Sequence, residues 1–437
     1  MVRFRKLMIA WLLLAAVSSV VANPATLVGD ERVTNLRWKA GSVRIAVSTS
    51  ILRESSNIKR DSDVAGAIKR SMDAWSDVVN IDFQEIMSDK QSASPAGFAG
   101  DGVNLLTIAA TPENVLLFAK DPENAAATTR VFYNRRGTIT EADIVLNPYL
   151  QFSTDGTLGT FDLESTLTHE IGHLLGLSHS AVLGSTMHAN YGKNGVFGLQ
   201  NFTSRTLSAD DIAAARAIYG VRGDEIDCCG SIEGRITVAA KASRAIDVWI
   251  EDSNGGVKAS TRAADGEFKF SGISPGKYRV FAQDTGRVKN ALPAREIGEA
   301  VVVSGETSTI NAKFVSGTRD FELNYIGFNG QLSEVAVALS PGRSYIIYLG
   351  GRNLDPKKLL VSFTSPYLSV VPGSMRSLDY GEDISVLSLE VRVTERAARG
   401  EYSIFAESEL GGKKAMIGGI TIDNFTNPWA SFASFDE

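Results

Sequence analysis

The sequence has too few cysteines for a disulfide framework and no excess of the basic residues that bind nucleic acid. Its 437 residues include two cysteines and four histidines, and 50 acidic residues outnumber 44 lysines and arginines. The resulting net charge of −6 provides no attraction for a polyanion, so nucleic acid is not an expected partner. A chain of this length also exceeds what one hydrophobic core commonly organises, which predicts two or three domains.

The two cysteines, Cys228 and Cys229, are adjacent in the sequence. Consecutive Cα atoms are about 3.8 Å apart, which is closer than in most disulfides. A bond between the two neighbours, an intermolecular disulfide and two free thiols therefore all remain open, and a metal site at this pair is the least favoured.

Long apolar runs are also scarce, and the one candidate for export or membrane insertion stands at the N-terminus. A basic start, MVRFRK, precedes an apolar stretch that closes with Val20 and Ala22. This pattern is typical of a secretory signal, predicted over residues 1–22 and followed by a short leader at 23–35. The predicted location is extracellular, through bacterial-type export, with no membrane contact after signal removal. An uncleaved N-terminal anchor is the alternative.

All four histidines lie in one stretch, residues 169–188, which reads HEIGHLLGLSHSAVLGSTMH. Residues four apart on a helix share a face, so His169 and His173 can bind one metal ion. Glu170 lies about 100° round the helix, beside the metal, where it suits a base acting on water.

The residues after this helix complete the predicted site. Gly176 tolerates the left-handed conformation that ends a helix, so the chain can turn and bring His179 to the same metal. Three neutral histidines leave the fourth position of a zinc ion open. A single histidine is more often a core or surface residue, but the fixed spacing of the whole set favours one catalytic zinc.

The pattern HExxHxxGxxH followed by Met187 resembles the metzincin peptidases. The pair His179-Ser180 and the eight-residue step to Met187 resemble the matrixin branch, peptidase family M10. The resemblance implies an endopeptidase with Glu170 as general base and a structural Met-turn at Met187. An astacin or serralysin fits less well, because those families have a tyrosine two residues after the methionine, where this chain has Ala189, so a tyrosine ligand is not expected.

The resemblance extends over residues 36–222 and implies an α+β domain, with a mixed twisted sheet and three helices. Alternating apolar residues predict the strands, and the apolar period of about 3.6 predicts the helices. Met72 and Trp75 are predicted core, Asp61 or Ser62 is the predicted cap of their helix, and Ser208 and Asp211 predict a capping box. The predicted strands are 43–49, 81–86, 103–108, 128–134 and 139–147, and the helices are 61–79, one from 160 or 162, and 207–219.

An edge strand of such a sheet can pair with an extended substrate, so substrate contacts are predicted along 128–134. The residues predicted to make them are Arg130, Val131, Phe132 and Tyr133. The alternative is an exposed hairpin whose arginines protect its edge from aggregation.

Two features of matrixins are missing from this sequence. No histidine precedes His169, so their second, structural zinc site is not expected, and the leader at 23–35 has no cysteine that could hold the enzyme latent. Calcium is compatible with the loops of the domain, but the sequence identifies no ligands for it.

Beyond residue 222 the sequence pattern changes to short β-type runs separated by NGG, DG and SPG turns. Residues 230–316, with GEFKFSGISPGKYRVFAQ, resemble carboxypeptidase-regulatory-like modules, and 317–425, with SPGRSYIIYLGGRNL, resemble immunoglobulin-like IPT/TIG modules. Both resemblances imply all-β sandwiches with a role in spacing or binding rather than catalysis, and an extracellular-matrix or cell-surface ligand is the partner expected for binding. Residues 426–437 form an aromatic, acidic tail.

The sequence therefore predicts a secreted zinc endopeptidase that hydrolyses extracellular proteins with a zinc-activated water and a glutamate base. An adhesion or matrix-binding protein with a vestigial peptidase domain is the alternative from another class. A zinc hydrolase that does not act on peptides is a third hypothesis. The intact ligands and base favour the peptidase.

Overall fold

The computed structural model describes most of the chain from residue 36 onward and one short strand before it. The described residues are 26–28, 36–53, 55–95, 99–190, 192–223, 228–238, 245–284, 292–314, 317, 319–381 and 384–423. The predicted signal peptide, the rest of the leader and the acidic tail lie outside them. Within the described residues, no helix is both long and apolar enough to span a membrane.

A six-stranded sheet with the order β1-β5-β6-β4-β2-β3 is the scaffold of the first unit. All of its neighbouring strands are parallel except β5 and β6, which form the predicted antiparallel hairpin. The strands of this unit, with a separate two-stranded pair β7-β8, are β1 Thr26–Val28, β2 Ser42–Ser48, β3 Asp82–Ser88, β4 Leu105–Thr107, β5 Ala127–Tyr133, β6 Ile139–Leu146, β7 Phe152–Ser153 and β8 Phe161–Asp162.

In the part of the chain that the structure describes, five helices accompany the sheet, and the three longest confirm the predicted ones. The other two are too short for a period of 3.6 residues to be visible in the sequence. They are α1 Thr49–Leu52, α2 Val64–Ser76, α3 Pro112–Leu117, α4 Leu163–Leu174 and α5 Ala209–Tyr219, with 3₁₀ turns at Val196–Gly198 and Thr203–Arg205.

The start of α2 differs from the prediction. Asp63 caps the helix, and its carboxylate accepts a hydrogen bond of 3.0 Å from the backbone N–H of Gly66. Asp61 instead has a φ of 65°, so it forms a left-handed turn before the helix. The predicted cap at Asp61 or Ser62 is therefore wrong by one or two residues.

The core confirms the expected role of α2. Trp75 is fully buried, and its indole N–H donates to the backbone carbonyl of Thr168 on α4 over 2.8 Å. Gly172 allows the close approach of the groups beneath α4, because a Cβ there would lie 2.3 Å from the sulfur of Met187 and 2.9 Å from Trp75. Gly172 lies between His169 and His173 in the sequence, so its lack of a side chain lets Met187 and Trp75 pack closely beneath the metal-binding part of the helix.

The rest of the described chain is β-rich, as predicted. Its first part has a four-stranded sheet β11-β10-β13-β14 and a three-stranded sheet β12-β9-β15, which share one hydrophobic core. The strands are β9 Gly230–Val238, β10 Ile246–Glu251, β11 Val257–Ala263, β12 Glu267–Ile273, β13 Gly276–Asp284, β14 Arg295–Val302 and β15 Thr307–Phe314.

The last part has a six-stranded sheet β17-β16-β19-β23-β21, with β22 also on β23, and a four-stranded sheet β18-β25-β24-β20. A second core lies between them. The strands are β16 Glu322–Phe328, β17 Gln331–Ser333, β18 Val337–Leu339, β19 Arg343–Arg352, β20 Leu359–Phe363, β21 Leu368–Val370, β22 Arg376–Leu378, β23 Ser385–Val393, β24 Gly400–Ser408 and β25 Lys413–Ile422.

The three parts of the chain meet in a shared apolar cluster, which we call the junction. Val182, four residues before Thr186, is fully buried there against Trp249 of β10 and Phe405 of β24. The rings of Trp249 and Phe405 are 6.1 Å apart between their centroids. The β-rich parts are thus packed directly behind the metal-binding stretch. Cys228 and Cys229, at the boundary, form a disulfide with each other.

Candidate metal centre

Helix α4 carries the metal motif, and its start is fixed by charge. The Asp162 carboxylate accepts the backbone N–H of Ser165 at 2.8 Å, which satisfies one of the free N–H groups of the first turn. The same carboxylate is bound by the Arg205 guanidinium, with N···O distances of 2.6 and 2.9 Å. Every residue of α4 is buried, so the helix is held in place on all sides.

The three motif histidines converge. Nδ1 of His169 lies 2.7 Å from the backbone carbonyl of Thr186, and Nδ1 of His173 lies 2.9 Å from that of Leu177. These carbonyls accept the Nδ1 protons, so Nε2 of each neutral ring is left as the metal-binding atom. The turn that returns His179 uses Gly176 at a φ of 93°, as its sequence position predicts.

The spacing of the three rings fits a tetrahedral metal. Nε2 of His173 and Nε2 of His179 are 3.1 Å apart, and one ring nitrogen from each of the three histidines lies within 4.8 Å of the others. Two nitrogens bound to zinc at its usual distance would be about 3.3 Å apart. The described residues contain no other group of three such side chains.

Burial keeps the three rings in the protonation state that a metal requires. Burial, together with the smaller effect of the neighbouring histidines, lowers the pKa of His169, His173 and His179 to about 3. All three rings are therefore neutral around pH 7, and their nitrogen lone pairs are available to a cation.

Glu170 has a partner that the sequence did not reveal. Its Oε2 accepts a hydrogen bond of 2.6 Å from the hydroxyl of Thr129, in the middle of β5. Both residues are buried, so this bond is shielded from water. Thr129 is 41 residues away in sequence, and only the packing of α4 on β5 brings the two together.

The turn that contains Met187 is held by one carboxylate from α5. Asp211 accepts the backbone N–H groups of Thr186 and Met187 at 2.9 and 3.0 Å and the hydroxyl of Ser185 at 2.5 Å. It also forms the predicted capping box with Ser208. The sequence predicted the capping role of Asp211 but not that it supports the turn beneath the metal.

Two further buried carboxyl groups lie behind this turn. Asp210 accepts hydrogen bonds from the hydroxyl of Ser180 and from the backbone N–H of Ser260 on β11, which links the metal motif to the second unit. Burial, with the charge of Asp211, raises the pKa of Asp210 to about 7 and that of Glu401 on β24 to about 8. This cluster therefore holds protons near neutral pH.

The residues predicted to contact substrate lie on β5 but have buried side chains. Val131 and Phe132 are at most 1% exposed, and Arg130 and Tyr133 are 6% and 7% exposed. Arg130 is paired in register with Asp143 of β6 and donates to the carbonyl of Ser94. Contacts with a substrate through this strand would thus be made by its backbone.

The prediction that 128–134 forms the edge of the sheet is wrong for the described structure. β1 lies outside β5 and pairs with it in parallel, with Thr26 opposite Arg130 and Val28 opposite Phe132. Strand β1 comes from the leader, and its three residues are too few to show a β-type period in the sequence.

Three convergent imidazoles on an HExxH helix, with a buried glutamate beside them, define the class of zinc peptidase sites. Residues 37–220 match the model of the matrixin family, Peptidase M10, and this part of the chain is a matrixin domain. The resemblance inferred from the motif is confirmed.

Curated relatives agree with this assignment. Metalloendoproteinase 1 of Glycine max is 27% identical over 197 residues, which are 42% of this chain and 53% of the relative. Metalloendoproteinase 1-MMP of Arabidopsis thaliana is 28% identical over 189 residues, 42% of this chain and 44% of its own length. The chain thus spans about half the length of these relatives.

Among solved structures, SGBP-B of the Bacteroides ovatus mixed-linkage glucan utilization locus aligns with 44% of this chain and 43% of its own. The identity is 14% and the TM-score 0.17.

Proposed function

We propose that the protein is a secreted zinc endopeptidase that hydrolyses peptide bonds of extracellular proteins. The observation that carries the proposal is the convergence of His169, His173 and His179 within 4.8 Å, with Glu170 on the same helix. The matrixin domain supports it, and the basic and apolar start of the sequence supports export.

The chain's own residues have separable roles in this reaction. When bound, zinc supplies polarisation of a water molecule and of the peptide carbonyl. The carbonyls of Thr186 and Leu177 fix the orientation of two of the imidazoles that hold it. Glu170 takes a proton from the attacking water and delivers it to the leaving amine, so one carboxyl group serves as base and then as acid.

The substrate contacts proposed along β5, at Arg130, Val131, Phe132 and Tyr133, belong to the same mechanism. An extended peptide beside β5 would bond to the strand's backbone, since the four side chains are buried. This requires β1 to leave the position that it occupies in the structure.

The test is a Glu170→Gln variant of the full chain. We expect it to bind one zinc ion per chain, as measured by elemental analysis, and to lose cleavage of a peptide library and of casein. Glu85→Gln, on an exposed part of β3, is the matched control and should cleave normally. Removal of zinc by a chelator should abolish cleavage by the unaltered protein. Full cleavage by the zinc-loaded Glu170→Gln variant would contradict the proposal.

A further inference from the structure

The segment that follows Met187 borders the metal site and reaches into the last β unit. We call residues 188–190 and 192–199 the post-methionine loop. At its start, the His188 ring lies 3.3 Å from the carbonyl of Ser180, next to His179. Further along, the N–H of Asn194 donates to the carbonyl of Thr160, just before α4, over 2.8 Å. The loop therefore runs from the metal site to the start of the motif helix.

The hairpin of β16 and β17 holds this loop by directed hydrogen bonds. The side chains of Asn329 and Gln331 each form a hydrogen bond with the backbone of Phe197. The amide of Asn329 donates to its carbonyl over 2.8 Å, and the Oε1 of Gln331 accepts its N–H over 2.6 Å. Both the backbone N–H and the backbone carbonyl of Phe197 are therefore bonded to the hairpin, which fixes the path of the loop at this residue.

A second contact from the same unit lies closer to Met187 in the sequence. The carboxylate of Glu334 accepts a hydrogen bond of 2.6 Å from the side-chain amide of Asn190. One residue of the last β unit thus holds the chain three residues after Met187.

Packing adds to these bonds. Phe197 is 3% exposed, and its ring is part of the core of the last β unit, with Val196 and Leu199 packed against it. Its φ of 60° is unusual for a residue with a side chain, and such a conformation persists only where the surroundings impose it. The loop is therefore anchored outside the matrixin domain.

We propose that the hairpin carrying Asn329, Gln331 and Glu334 is a specificity-determining part of the active site. Thr129 of β5 bonds to Glu170, and His188 of the post-methionine loop lies at the carbonyl of Ser180, the residue after His179. A peptide whose reacting carbonyl lies at the metal would therefore have β5 on one side and this loop on the other. The hairpin fixes the shape of that loop and thereby selects the substrate side chain that fits beside it. This inference rests on the proposed peptidase function, and it gives the last β unit a role within the catalytic unit.

The test uses the double variant Asn329→Gly/Gln331→Ala of the full chain. Glycine keeps the left-handed turn at position 329, where φ is 50°, while both contacts to Phe197 are removed. The matched control is Asn353→Gly, at another left-handed turn of the same unit, where the asparagine bonds to Asp320 of its own unit. Gln331→Ala alone serves if the double variant does not fold.

Two readouts are measured. If the contribution of about one of the two lost hydrogen bonds is expressed in the side-chain preference, the ratio of kcat/KM for peptides with small and large residues next to the cleaved bond should shift by about tenfold. Hydrogen exchange across residues 192–199 should accelerate in the variant and not in the control. Zinc content should stay at one ion per chain in all proteins.

The outcomes separate the two proposals. A folded, zinc-bound variant with unchanged side-chain preference would overturn the role of the hairpin, whatever its exchange rates. No cleavage by the unaltered protein would instead overturn the peptidase function, and with it the selection of substrates. Exchange would then decide the anchoring itself: unchanged rates across 192–199 would show that Asn329 and Gln331 do not hold the loop.

Discussion

Replacing Thr129 by valine should weaken catalysis without removing the metal. The hydroxyl of Thr129 donates to the Glu170 carboxylate over 2.6 Å in a buried position. A hydrogen bond to a charged group contributes about 1.5 to 3 kcal/mol, and valine keeps the shape of threonine while removing the donor. If this contribution is fully used to orient the base, kcat/KM falls by about 10- to 100-fold.

The split between kcat and KM distinguishes orientation of the base from a general loss of structure. The bond from Thr129 acts on the base rather than on substrate binding, so its loss should lower kcat and leave KM nearly unchanged. The assay is cleavage of a fluorogenic peptide at pH 7 over a range of peptide concentrations, with zinc content measured in parallel.

The control is Thr128→Val, whose side chain points to the opposite face of β5. It should leave both kcat and KM unchanged. If zinc-loaded Thr129→Val keeps a kcat within twofold of that of the unaltered protein, the bond does not position Glu170.

Three further predictions concern the support of the site. Asp211→Asn should lower the free energy of unfolding in urea by about 2 to 4 kcal/mol, because one acceptor oxygen becomes an amide that faces N–H donors; an unchanged midpoint would contradict this. The pKa of Glu401 is about 8 in the folded protein and lower in the unfolded chain, so its contribution to stability is full below the unfolded pKa and is lost as pH rises toward the folded one. The free energy of unfolding should therefore fall by about 2 to 3 kcal/mol between pH 6 and 9, and Glu401→Gln should remove most of that fall. A chain beginning at Leu36 lacks β1, so its kcat/KM for peptides should rise; equal activity would show that β1 does not obstruct β5.

The metal ligands could be predicted from the sequence because their geometry is local. The step from His169 to His173 is one helical turn, and Gly176 marks the turn that returns His179. The long helices and the hairpin of β5 and β6 could be predicted for the same reason, since apolar periods and caps are properties of neighbouring residues. Each of these features requires contacts across only a few positions.

The supporting contacts could not be predicted because they join distant parts of the chain. Thr129 meets Glu170 across 41 residues, and Gln331 meets Phe197 across 134. Asp211 showed a local signal, its capping box, which concealed its second role at the turn of Met187. The extra strand β1 also depends on a distant partner, and no sequence period announces where an isolated strand will pair.

The junction around Val182 has a practical consequence for anyone who dissects this protein. A fragment cut after the matrixin domain would present Val182 to water where Trp249 and Phe405 now cover it, and it would lose the bonds that Asp210 accepts from Ser260. Such a fragment is expected to aggregate. Grafting the β units onto another peptidase would fail equally, unless the apolar residue and the carboxylate that they meet were transplanted with them.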